Sequence, residues 1–401
     1  MRTDSSSDEG SRCVDSAADS VGRGASRGAS LAALIACVAV GLWFGEVRPQ
    51  LQDVSYPTPD GRTVHLPTYL PGDCPFYRAA AASLWRDLDL DLRNDPTWSV
   101  LRPEGQLSLG ARGEWYPKHP LLLPVAALPF YAAAGDPGLL LFNLVQLVGL
   151  DALIFLAARR FTGDLAALAI ALWFAFGSLL RPAAYNFAPD VLSSLVVLGG
   201  YLALTSRRPM LAGLLFGLSV AAKWTNLLFL PVAAAYALVA LGRRPALLFA
   251  TACAPALALL GILNWHMFGS PLTTPYDRVL APSGALEPSH RTLFSQPFWA
   301  GLWEQIRDPR LGLLRSAPQV LFALPGFALL FRRARAEALF VASLCAVQMA
   351  VFAPYRMWSA SSYGHRFLMT VVTLCSVPVA ALAQWALDPA RSRAAAADRS
   401  P

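Results

Sequence analysis

Charge is what this 401-residue chain has least of: Asp, Glu, Lys and Arg together make up 15% of it, against 55% hydrophobic residues. Ordinary soluble domains carry about a quarter of their residues as charges, so a water-surrounded fold is excluded and a polytopic membrane protein is indicated. Lysine is almost missing, since only Lys118 and Lys223 stand among 33 Lys and Arg residues. That bias fits an arginine-rich, GC-rich genome. A lysine kept against it is either a survivor of drift or marks a place that needs a compact ammonium rather than a guanidinium fork. The six cysteines are scattered, four of them in apolar runs, with no CxxC or metal-ligand spacing, which gives neither a disulfide framework nor a zinc site. An internal repeat of the kind that marks inverted-topology transporters is also missing. The net charge of +7 comes as short arginine pairs between apolar runs. Cytoplasmic membrane anchors show that pattern; a nucleic-acid groove does not.

Residues 1–27 and 388–401 hold few large apolar side chains and read as disordered cytoplasmic tails. The run from Gly28 to Phe44 is about long enough for one span. It reads as a retained first helix, because a long polar tail precedes it and no small-residue cleavage site follows. Further apolar runs lie near 120–134, 138–158, 164–180, 189–205, 210–222, 225–241, 245–264, 312–331, 337–354 and 366–387. If 120–134 crosses the membrane, the pairs Arg159-Arg160, Arg207-Arg208, Arg243-Arg244 and Arg332-Arg333 all fall outside; if it does not, all four fall inside. The positive-inside rule therefore makes 120–134 a re-entrant or interfacial segment. The expectation is an all-α transmembrane bundle of about ten spans, a single membrane domain over 28–387, with 46–137 as a long first outer loop.

That loop holds most of the candidate chemistry. Asp73 precedes Cys74-Pro75, where Pro75 suits the first turn of a helix, and Phe76 to Trp85 is amphipathic enough to lie at the interface. As a carboxylate, Asp73 is either a plain helix cap or a general base for an acceptor hydroxyl. Asp87, Asp89 and Asp91 resemble a metal-holding Asp-x-Asp, but alternation with leucine suits a solvated edge. Lys118 and His119 at headgroup depth either snorkel or bind a lipid phosphate. Arg315 lies inside the 312–331 run and is expected to be paired or functional. Asp190 follows a proline at a helix start, the ordinary place for a cap, and Asp151, mid-span, is expected to pair within the bundle.

The order of these motifs resembles the GT-C superfamily, notably bacterial relatives of the protein O-mannosyltransferases and of the lipid A aminoarabinose transferase. The similarity runs from Asp73-Cys-Pro-Phe-Tyr77 and Tyr116-Pro-Lys-His-Pro120 through Asp190 and the Lys223 region. It continues in Asn264 to Tyr276, Ser316-Ala-Pro318 and Ser362-Tyr-Gly-His-Arg366. The resemblance implies a membrane glycosyltransferase that takes a sugar from a polyprenyl-phosphate donor on the outer face, with inversion. Asp73 would be the general base, and Lys118, His119, Arg315 and Arg366 would hold the donor phosphate. Asp190, Tyr77, Lys223 and Tyr276 would bind sugar or acceptor. Cys74 stands where many relatives have a second acidic residue, so no metal ligand is assigned, no cofactor is expected, and a role for a divalent ion stays open. The expected partners are the lipid-linked donor, membrane lipids and an acceptor of unknown kind. Two rivals remain: a transporter or flippase of a lipid-linked sugar, for which Asp151 would be the deep charge, and a non-catalytic assembly protein.

Overall fold

The computed structural model describes residues 28–47, 52–57, 63–68, 74–94, 106–281, 285–286, 290–359 and 364–388. Asp73 and both tails, Asp388 apart, lie outside the described residues.

Nine of the ten runs assigned to spans carry one apolar helix each, and the 312–331 run carries two helices, the short Leu313–Ser316 and then Val320–Arg333. Among the described residues six helices are long and apolar enough to cross a bilayer: α1 (Gly28–Glu46), α4 (Asp136–Arg159), α8 (Trp224–Leu241), α9 (Arg243–Phe268), α13 (Arg335–Phe352) and Arg366–Ala386, whose α-helical part is α14 (Met369–Ala386). The shorter α5 (Asp164–Gly177), α6 (Pro189–Thr205), α7 (Pro209–Ala222) and α12 (Val320–Arg333) complete the bundle. Prolines open α4, α6 and α7, in the first turn where a missing N–H costs nothing. Between lipid-facing helices there is little hydrophobic drive, so close approach of backbones supplies the attraction. A Cβ at Gly213 would fall 2.2 Å from the Phe249 carbonyl oxygen of α9, and one at Gly326 2.1 Å from that of Pro378 in α14. Glycine is what lets α7 meet α9 and α12 meet α14.

Outside the bundle are two small antiparallel pairs, β1 (Gln52–Pro57) with β2 (Thr63–Thr68) and β3 (Leu107–Leu109) with β4 (Trp115–Pro117). The first loop also carries α2 (Cys74–Arg86) and α3 (Leu122–Ala134). The second long loop holds α10 (Phe298–Arg307) and the short α11 (Leu313–Ser316).

The ends of the helices sort by charge. At one end Arg160 pairs with Glu337 at 2.6 Å and bonds Tyr201 and Thr205, while Arg333 lies over the Phe161 ring. At the other end α4 begins beside α2, where Arg78 pairs with Asp136 at 2.8 Å. The neighbouring Tyr77 ring sits 5.0 Å from His119, just ahead of α3. Since α3 leaves from Tyr77 and returns to Arg78, it starts and finishes at the same end of the bundle. It does not cross, as the arginine parity requires.

Three expectations need correction. Helix α2 does not lie open at the interface: Cys74, Phe76, Tyr77 and Ala79 to Ser83 are buried, and only its end, with Trp85, is exposed. The 312–331 run is not one span but is broken between α11 and α12, where Gln319 turns in to donate to the Trp173 carbonyl of α5 at 2.8 Å. Asp151 is buried at 2% exposure, yet its Oδ1 meets no hydrogen-bond partner among the described residues, so the expected pairing within the bundle is not made.

Candidate functional site

Asp190 is the centre of the polar end. It lies in the first turn of α6, 3% exposed, and its side chain makes no helix cap. Its Oδ1 instead accepts from Lys223 Nζ at 2.7 Å, and its Oδ2 lies 3.9 Å from Arg366 Nη1. Lys223 stands at the break between α7 and α8, extended at φ −155°, ψ 115°, which aims its side chain across the bundle. Its ammonium lies 5.0 and 5.1 Å from the ring centroids of Phe352 and Phe367. Arg366 covers the same Phe367 ring at 5.0 Å. Aromatic faces attract cations most strongly where water is excluded. Two cations therefore face one carboxylate in a nearly dry setting. Such a cluster suits an anionic ligand.

Beside it, His365 is fully buried and stacks on Trp358 with centroids 4.9 Å apart. Its backbone N–H donates to Ser316 Oγ at 3.1 Å, and Gly364 makes the approach at φ 41°, where a Cβ would meet that Ser316 hydroxyl at 2.8 Å. Both ring nitrogens lack a hydrogen-bond partner among the described residues. Burial, helped by the nearby Lys223 ammonium, pulls the imidazole down to about 3, so it stays neutral, with one donor and one acceptor unspent. Gln348 fixes the following turn by donating to the Phe367 carbonyl at 2.7 Å.

The turn before α6 ties this cluster to the first loop. Asn186, fully buried, accepts from the Cys74 thiol at 3.1 Å, and Phe187 meets the Tyr77 ring edge-on at 6.3 Å. Asn143 of α4 fixes the turn by donating to the carbonyls of Ala183 and Ala184, both at 2.8 Å. His119 is buried, bonded to Gln106 at 2.9 Å, and Lys118 beside it is 8% exposed. Tyr77 thus bridges His119 and the Asp190 turn. Asp73 is bonded in the chain to Cys74 but lies outside the described residues.

Of the remaining candidates, Arg315 is exposed on α11 and has no partner among the described residues, so the expected pairing is not made, which leaves the phosphate-binding role. Tyr276 is half-buried on a loop pinned to β3, where Ser108 Oγ donates to the Pro275 carbonyl at 2.6 Å. The acidic run builds a turn: Asp89 accepts from Ser83, and Asp91 pairs with Arg93 and accepts from the Trp115 N–H. Those contacts hold the Asp91 carboxyl below its usual range despite the opposing effect of burial, the largest single influence. No group of three or more His, Cys, Asp or Glu placed to hold a metal occurs among the described residues. The reading of the sequence settled on Arg366 and passed over His365, Asn186 and Phe352. Only His365 gave a signal, standing inside the Tyr363-Gly-His-Arg366 motif.

Comparison with known proteins places this arrangement. Residues 119–354 match the family model "Glycosyltransferase family 87". Among solved structures the chain resembles the Archaeoglobus fulgidus oligosaccharyltransferase in its apo form (12% identity, TM-score 0.50, 93% of this chain and 52% of that one). It also resembles the archaeal oligosaccharyltransferase AglB from Archaeoglobus fulgidus in complex with an inhibitory peptide and a dolichol-phosphate (13% identity, TM-score 0.51, 93% and 52%). At these identities the likeness is one of fold, the GT-C fold, and the chain spans about half the length of these structures. No curated protein matches.

Proposed function

The chain belongs to glycosyltransferase family 87 and is a membrane glycosyltransferase; from that premise we propose that it takes a sugar from a polyprenyl-phosphate donor and places it on an acceptor hydroxyl at the extracytoplasmic face. The observation that carries this reading is the buried Lys223–Asp190–Arg366 cluster, two cations on one carboxylate, at the end of the bundle opposite the arginine pairs. By the positive-inside rule the arginine end is cytoplasmic. That AglB was solved with a dolichol-phosphate supports a lipid phosphate as the group held here.

In this reading the acceptor hydroxyl gives its proton to Asp73 as its oxygen attacks the anomeric carbon. The bond from that carbon to the phosphate oxygen breaks, and its electron pair leaves with the prenyl phosphate. Lys223 and Arg366 meet the charge that grows on the leaving oxygen, with Lys118 and His119 approaching from the first loop. Electrostatic preorganisation of this sort is typically the largest catalytic contribution. Asp190 keeps the two cations from repelling each other. Neutral His365 and the Tyr77 and Tyr276 hydroxyls have the chemistry to address sugar hydroxyls without adding charge. The assembly-protein rival expects Asp73, Lys118 and Arg366 not to converge. Asp73 lies outside the described residues, and what favours the enzyme is that Asp190, Lys223 and Arg366 meet; the transporter rival keeps only Asp151.

Removing a general base costs about 10²- to 10⁴-fold in rate. Asp73→Asn, purified and folded as judged by thermal unfolding, is expected to lose transfer by that factor. A variant that transfers sugar at the full rate would sink the assignment.

A further inference from the structure

At the arginine end of the bundle, far from the cluster just described, a cavity of about 660 Å³ opens between the α4–α5 turn and the last turns of α12 and α14. Its size lies in the range of cavities that bind small molecules, roughly 300–1,000 Å³. Its lining combines apolar side chains, Phe161 and Leu387 among them, with Arg332, Arg333 and Gln384. Arg333 is held in place, donating to the Gln384 side-chain oxygen and lying 5.8 Å from the Phe161 ring centroid.

The charges around it are not balanced in the same way. Arg159 has Asp164 at 2.7 Å and Arg160 has Glu337 at 2.6 Å. Neither Arg332 nor Arg333 pairs with a carboxylate among the described residues. Asp388 stands on the lining and offsets only part of their charge. Two guanidinium groups at the C-terminal end of α12 are stabilised there by the helix dipole, and their forks suit phosphate oxygens.

We propose that this cavity binds the headgroup of an anionic phospholipid: the phosphate on Arg332 and Arg333, the glycerol against Gln384, and the first acyl carbons along Phe161 and Leu387. The apolar part of the lining, Phe161, Leu329 and Leu387, favours a lipid over a free phosphate ion, which would leave those side chains uncovered. The site is independent of the transfer reaction.

The test uses purified full-length protein in a neutral maltoside detergent, titrated with phosphatidylglycerol or with phosphatidylcholine of the same chain length, bound lipid being counted by native mass spectrometry. Phosphatidylglycerol is expected to bind at least about tenfold more tightly, and Arg332→Gln/Arg333→Gln to lose at least about tenfold of that affinity, the scale of lost charge-assisted hydrogen bonds. Arg243→Gln/Arg244→Gln removes two exposed arginines from the same end outside the cavity and is expected to change nothing. Equal binding of the two lipids, equal loss in both variants, or displacement of the lipid by inorganic phosphate at matched concentration would overturn the proposal. Should the double variant unfold, Arg332→Gln alone, at an exposed side chain without a partner among the described residues, serves with the same criteria.

Discussion

Asp190→Asn isolates the central interaction of the site. In the native protein one carboxylate lies 2.7 Å from Lys223 Nζ and 3.9 Å from Arg366 Nη1. At an effective dielectric of about 20 those separations correspond to roughly 6 and 4 kcal/mol of gross Coulomb attraction. Most of it is offset by the cost of taking three charges out of water, and replacing a whole buried network by apolar groups is often neutral. Removing the carboxylate alone is different, because both cations stay buried while the carboxylate they share is lost. The expected loss is about 3–5 kcal/mol of unfolding free energy. The assay is unfolding in mixed micelles with increasing SDS mole fraction, followed by far-UV circular dichroism. Adding Lys223→Met to Asp190→Asn removes one of the two cations and is expected to recover at least about half of the loss, a non-additivity of the size neighbouring residues show. If Asp190→Asn unfolds within about 0.5 kcal/mol of the native protein, or the double variant is no more stable than the sum of the singles, the charges do not act as one buried unit.

Further expectations follow from single contacts. His365 is held neutral in the fold, its ordinary value of 6.5 pulled down to about 3. The unfolded chain therefore binds a proton that the native state refuses, and this stability is full above pH 6.5 and is lost as pH falls toward 3, by up to about 1.4 kcal/mol per pH unit. His365→Gln should flatten that part of the pH–stability curve; an unchanged slope would mean the imidazole is not buried. Arg366→Ala should weaken binding of a prenyl-phosphate analogue by about tenfold or more, while Arg315→Ala, at an exposed side chain, should stay within about twofold. Equal losses in the two would contradict the ranking of the buried Arg366 above the exposed Arg315. Gly326→Val puts side-chain carbons where the Pro378 carbonyl already stands 2.1 Å from a would-be Cβ and should cost about 1–3 kcal/mol, measurable by the same SDS titration.

How much of this could be read from the residues alone differs by element. The spans were legible because a bilayer demands long apolar runs, and the turning back of 120–134 was legible because four arginine pairs change sides together. The break at Ala317–Gln319 was not, since Arg315 and Ser316 read as polar residues inside one apolar run with Pro318 as a kink, and the interruption is held by Gln319 reaching Trp173, 146 positions away. The burial of α2 was hidden for a similar reason: the partner of Cys74 is Asn186, 112 positions on. Asp190 was chosen from its motif, yet a Pro-Asp helix start is shared by a capping residue and a buried counter-ion. Only the arrival of Lys223 and Arg366 tells the two apart. His365 went unchosen because a histidine beside an arginine gives no local sign of which side chain carries the unspent hydrogen bonds.

The aromatic seat of Lys223 bears on which mutations this chain can survive. A lysine codon is one base away from an arginine codon, and the composition shows that exchange running almost to completion elsewhere, so position 223 is offered arginine repeatedly. Between two phenyl faces 5.0 and 5.1 Å from the charge centre, with a carboxylate 2.7 Å away on a third side, a small spherical ammonium fits where a broad planar guanidinium would push Phe352 off α13. The commonest neutral replacement in this chain is therefore expected to be a damaging one at this position, and a survey of single-base variants should find Lys223→Arg depleted while arginine-to-lysine exchanges on the opposite end pass unnoticed.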